Sequence, residues 1–181
     1  MTNDDDRIRV LVLGLGDVRR GDAGAGVIAV HRVRREWIVP AWVRVVDGDT
    51  LGLDLLALLA ASERVILVDA VRASQVPGTL VRLSGDQVAP AVRARLSAHQ
   101  VEVADILPGG SPRERYPREV VIVGVVPATT ELQLGCTPDV AASLDGLVDA
   151  VIAELRRLGA SPVRRDSSLA AQGDGVRALG S

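Results

Sequence analysis

Three runs of unbroken apolar residues constrain the fold more than anything else in this chain. They are Val10–Leu13, the core of Arg64–Val68 (RVILV) and Val120–Val126 (VVIVGVV). A strand that is apolar at every position has no solvent face, so it must lie in a sheet covered on both sides. Two further segments complete a set of five: Val43–Val46, and Thr79–Leu83, whose alternation suits a place nearer an edge. Between them lie helical patterns over Ala25–Trp37, Leu53–Ala61, Ser97–Leu107 and Pro138–Leu158. The last is the clearest. Thr137 stands at the N-cap, Pro138 at N1, and Val140, Leu144, Leu147, Val148, Val151, Ile152 and Leu155 form one stripe. Arg156 and Arg157 favour the C-terminal dipole, and Gly159 stops the helix. Alternation of strands and helices predicts an α/β fold: a three-layer α/β/α sandwich with a largely parallel five-stranded sheet.

The expected organisation is a disordered N-terminal tail over 1–7, one domain over 8–159, and a mobile tail over 160–181, where periodicity is lost. Residues Leu107–Arg118 read as a polar Pro/Gly-rich loop. With 181 residues and 48% hydrophobic content, a single core is sufficient.

Charge and composition exclude several function classes. The formal net charge is −2, so no basic footprint for nucleic acid or a membrane surface exists. Trp37, Trp42 and Tyr116 are the whole aromatic complement besides histidine, too few for base-stacking platforms. Lone Cys136 rules out an internal disulfide and a cysteine-rich zinc site; it reads as a small buried residue. No signal pattern or membrane-length apolar run is present, so the expected location is cytoplasmic.

The chemistry-bearing stretch is GLGDVRRGDAGAGV, Gly14–Val27, directly after the first strand. A dinucleotide loop needs glycine where Arg19 stands. A P-loop needs lysine after Gly21, where Asp22 would repel phosphate. Asp47 could serve as a ribose-binding acid, which keeps a nucleotide-binding Rossmann-like protein as an alternative. Carboxylates at strand ends suit a cation better. In open parallel sheets, sites form outside the carboxyl ends of the strands. Asp17 and Asp22 follow the first strand, Asp47 and Asp49 the second, and Asp69 the third, while His99 opens a later helix. Such oxygen and nitrogen donors suit a borderline divalent metal. Each has a plainer reading: Asp69 a cap, His99 a surface residue, Asp17 and Asp49 solvated loop acids. His31 reads as packing or solvated.

Taken in order, five segments resemble the NiFe-hydrogenase maturation endopeptidases, from Arg9 to about Gly159. VLVLGLGDVRRGDAGAGV resembles G-x-G-N-x-x-x-x-D-[DE]-x-x-G. VVDGDT resembles the D-G-G-T loop, and VILVDAVRASQVPGTL the strand ending in Asp and running on to P-G-T. SAHQVEVADIL resembles the S-x-H-x helix start, and VVIVGVVPATTELQLGCTPDV the G-[IV]-x-P segment before the last helix. The resemblance implies an endopeptidase that removes the C-terminal extension of the large subunit, with nickel carried in by that substrate as the recognition element and no organic cofactor. The implied partner is the large-subunit precursor, with no nucleic acid and no membrane. Asp69 and His99 match two of the family's three metal contacts. The third falls on Ala23, whose methyl group cannot coordinate. Asp22 is the expected substitute, with Asp17 or Asp49 as alternatives. The alternative function is an impaired paralogue that binds the precursor as an assembly chaperone.

Overall fold

The computed structural model describes residues 8–48, 58–95 and 117–166. The expected helices over Leu53–Ala61 and Ser97–Leu107 therefore lie wholly or mostly outside the described residues, as do His99 and Asp49. Of the first helix, residues 58–60 are helical.

Five strands build the main sheet: β1 (Val10–Gly14), β3 (Val43–Asp47), β4 (Arg64–Ala70), β5 (Leu80–Ser84) and β6 (Glu119–Val125). Their order is β3-β1-β4-β6-β5. β1 pairs in parallel with β3 and β4, and β4 in parallel with β6. β5 closes the edge antiparallel to β6. The largely parallel five-stranded sheet is thus as expected. The chain passes from β1 to β3 on one side, then returns to β4 on the other. That reversal makes the carboxyl ends of β1 and β4 the topological switch point, where α/β sheets open a crevice.

Alternate residues of the strands feed two cores. Val10, Val12, Ile66, Val68, Val121 and Val123 pack with α1 (Ala25–Glu36) and α3 (Pro138–Arg157). Leu11, Leu13, Val65, Leu67, Val120 and Ile122 pack on the opposite face with Leu59 and with Val88, which begins α2 (Val88–Arg95). The buried runs of β1, β4 and β6 are therefore the hydrophobic centre of three layers.

Two features differ from the sequence-based expectation. α2 forms after β5 and a 3-10 turn at Gly85–Gln87, where no helix was expected. A short pair, β2 (Trp37–Ile38) with β7 (Val163–Arg164), runs antiparallel beyond Gly159. Arg165 N donates to Glu36 O at 2.7 Å, and Ala160 is buried, so the chain past α3 is held against the end of α1 as far as Arg165. The guanidinium groups of Arg156 and Arg164 lie 5.7 and 6.0 Å from the ring centre of Trp37.

Candidate active site at the carboxyl edge of the sheet

The glycine loop lies over the switch point because its backbone can approach the strand ends. Leu15 N donates to Val68 O at 2.8 Å. A Cβ on Gly26 would sit 2.1 Å from Val68 O and 2.6 Å from Leu15 O, so only glycine lets α1 start this close to β4. The loop then makes a 3-10 turn, Gly21–Gly24, which packs against β4. Asp22 and Ala23 are in this turn, and both are buried.

Asp69 lies on β4 opposite Gly124 of β6. It is 5% exposed, and its Oδ1 accepts a hydrogen bond from Ala70 N at 2.6 Å. Val71 N continues the ladder by donating to Val125 O at 2.9 Å, so the backbone that carries Asp69 is fixed past the end of the strand.

Asp22 is held by four hydrogen bonds. It has no exposed surface. Its Oδ1 accepts from Thr137 N at 2.6 Å. Its Oδ2 accepts from Ala128 N at 2.8 Å, Thr129 N at 3.1 Å and Thr137 Oγ1 at 3.0 Å. These are about the four bonds a carboxylate can accept. The carboxylate also sits at the N-terminal end of α3. Thr137 is the N-cap residue of α3 as expected, but its hydroxyl does not cap the helix. It donates to Asp22 instead, because a buried charge makes the stronger acceptor.

The remaining acids have partners of their own. Asp17 holds Arg19 through three bonds: Arg19 N and Nε to Oδ1, both at 2.9 Å, and Nη2 to Oδ2 at 3.0 Å. Those bonds hold its carboxyl below the usual range. Asp47 lies 2.8 Å from His31 Nε2, pairing a histidine that sequence alone read as packing or solvated. Cys136 is half-buried; burial pushes its thiol up, and the nearby charge of Asp22 adds to this. Among the described residues, no three His, Cys, Asp or Glu side chains come together as a metal cluster. Ala23, 9% exposed, presents a methyl group to the same turn.

The loop after β6 is part of the same edge. Gly21 N donates to Gln133 O at 2.8 Å, Gln133 N to Arg19 O at 3.0 Å, and Arg20 Nε to Thr130 O at 3.1 Å. Sequence reading missed this clasp. The available signal was a glycine, Gly21, required at φ +53° opposite a run of threonines. No helix among the described residues is long and apolar enough to cross a membrane.

A family model described as hydrogenase maturation protease matches residues 27–154. The chain is 32% identical over 161 residues to hydrogenase 2 maturation protease of Escherichia coli (strain K12), covering 88% of this chain and 98% of that protein. It is 37% identical over 153 residues to the hydrogenase expression/formation protein HupD of Rhodobacter capsulatus, covering 83% of this chain and 73% of that one. Its fold matches the solved structure of the hydrogenase maturating endopeptidase HybD from E. coli with a TM-score of 0.78 and 32% identity, across 87% of this chain and 98% of that one. The α/β/α architecture, the strand-end acid and the glycine-rich edge thus occur in a chain that belongs to the hydrogenase maturation protease family.

Proposed function

We propose that this protein is the endopeptidase that removes the C-terminal extension from the nickel-loaded large subunit of a NiFe hydrogenase. The observation that carries the reading is Asp69. It is a buried carboxylate at the end of β4, at the topological switch point, in a chain of this family. In the proposal Asp69 and His99 grip nickel that the precursor brings in. A precursor without nickel lacks the cation that an aspartate and an imidazole recognise, and it is not cut. Nickel is therefore part of the substrate, and the peptide bond cleaved lies just beyond the metal-binding end of that subunit.

In this reading Asp22 takes a different part from the metal contact expected from sequence. Its four hydrogen bonds and complete burial fit it to hold the loop 128–137 and not to meet an incoming metal. A ligand role would leave buried N–H groups without acceptors, at about 1–3 kcal/mol each. Asp17, engaged with Arg19, is likewise committed. In this reading the precursor's own nickel ligands complete the coordination that Asp69 and His99 begin.

Ala23 favours a second reading, in which the protein binds the precursor without cutting it. The position that resembles the family's acid carries a methyl group. Incubation with nickel-loaded and nickel-free precursor separates the two. Shortening of the loaded form alone supports the endopeptidase. A stable complex with a full-length loaded precursor supports the chaperone.

A further inference from the structure

Gly124 is the one residue of Val120–Val126 that is neither valine nor isoleucine. A glycine inside a buried strand weakens it and marks a place where another part of the chain comes close. Here that part is the segment 69–71. A Cβ on Gly124 would lie 2.5 Å from Val71 Cγ2, 2.8 Å from Asp69 O and 3.3 Å from Val71 Cβ. All three atoms belong to the stretch that carries the Asp69 carboxylate. Val68, Val123 and Val125 point into the core against α1 and α3, so Asp69 and Gly124, paired across β4 and β6, share the opposite face. Val71 packs on that same face, with the core that contains Leu67 and Ile122. Its side chain fills the slot left by the missing Cβ, and its N–H donates to Val125 O. One residue back, Ala70 N donates to Asp69 Oδ1. A single residue therefore separates the carboxylate from the seated valine, and a shift of Val71 carries to the amide that aims Asp69.

We propose that Gly124 is a positioning residue for Asp69: the seat it leaves for Val71 holds the carboxylate in the orientation that meets nickel on the precursor. The proposal rests on the endopeptidase reading and adds to it a residue that acts on the metal only through Asp69. A methyl group at position 124 has to push away both Val71 and the Asp69 carbonyl, because neither approach leaves room for another carbon. Changing a group that orients a metal contact alters metal affinity or activity by about 10- to 100-fold.

The test measures how tightly nickel-loaded and nickel-free precursor bind, and how fast the loaded form is cut. Wild type is compared with Gly124→Ala, Val71→Ala and the double variant. Glu154→Gln serves as a destabilised control, since Glu154 is buried on α3, across the sheet from Asp69. Gly124→Ala is expected to lower the preference for loaded over free precursor by roughly 10- to 100-fold and to slow cutting, with binding of the free form unchanged. Val71→Ala empties the seat and is expected to lower the preference less. In the double variant the shorter side chain at position 71 makes room for the methyl group at 124. Its preference is therefore expected to equal that of Val71→Ala instead of falling by the sum of the two losses. Glu154→Gln is expected to keep the wild-type preference. If Gly124→Ala does not fold, Val71→Ala decides alone: a lowered preference supports the seat, and an unchanged one overturns it. Three results overturn the positioning role while wild type still cuts the loaded precursor alone. They are a preference unchanged in both single variants, additive losses in the double variant, and equal weakening of loaded and free binding. If wild type cuts neither form and binds both alike, the endopeptidase reading falls and the positioning role falls with it.

Discussion

Asp22 and Thr137 lie 115 positions apart and meet through two hydrogen bonds, from the backbone N–H and the hydroxyl of Thr137 to the two oxygens of one buried carboxylate. This contact ties the turn after β1 to the start of α3. Through Ala128 and Thr129 it ties in the loop after β6 as well. One acid thereby fixes the mutual placement of three segments around the carboxyl edge of the sheet.

Asp22→Ala is expected to destabilise the fold by about 2–5 kcal/mol, since four buried donors lose their acceptor at once. Asp22→Asn, which keeps one oxygen acceptor, is expected to cost about 1–3 kcal/mol. Urea denaturation gives both values. A cost below 0.5 kcal/mol for the alanine variant would contradict the assigned role.

Ala23→Glu places a carboxylate where the family pattern has an acid, in the turn that packs against β4. It is expected to raise affinity for nickel-loaded precursor, or its rate of cleavage, by about tenfold, corresponding to one added charged contact of about 1.4 kcal/mol. Affinity for nickel-free precursor should stay level. A gain for both forms, or for neither, would show that this position does not address the metal.

Glu154 sets a pH dependence far from the site. It is buried on α3. Burial pushes its carboxyl up, but hydrogen bonds from Arg82 and Arg157 outweigh that and hold it below its ordinary value. A depressed folded value means stabilisation that is fully present above the ordinary glutamate value, about pH 4.3, and lost as pH falls from there through the lower folded value. Glu154→Gln is expected to lower stability by about 1–3 kcal/mol at pH 7. That difference should shrink as pH drops below about 4. Thermal melts of both proteins between pH 3 and 7 check it; a difference that grows toward acid would reverse the sign.

The sheet was legible because β1, β4 and β6 are apolar at nearly every position, a pattern only a doubly covered strand tolerates. α3 was legible because twenty residues give its stripe and both its ends room to show. α2 was not: Val88–Arg95 spans little more than two turns, too short for an apolar stripe to show in the sequence. The pair β2–β7 was not legible either, because two residues per strand carry no periodicity. At the site, Asp69 was legible as the last polar residue of a buried run. The hydrogen-bond partners of Asp22 were not. Its partners lie 106 to 115 positions away, and a sequence shows an acid in a loop without showing which amides surround it.

The central claim is that this chain, through Asp69 and His99, cuts a nickel-bearing precursor. Intact-mass spectrometry of the nickel-loaded large subunit, before and after incubation with the protein, tests it most directly. The expected result is loss of a C-terminal fragment with wild type and none with Asp69→Asn or His99→Ala. An unchanged mass with wild type, or full shortening with either variant, would contradict it.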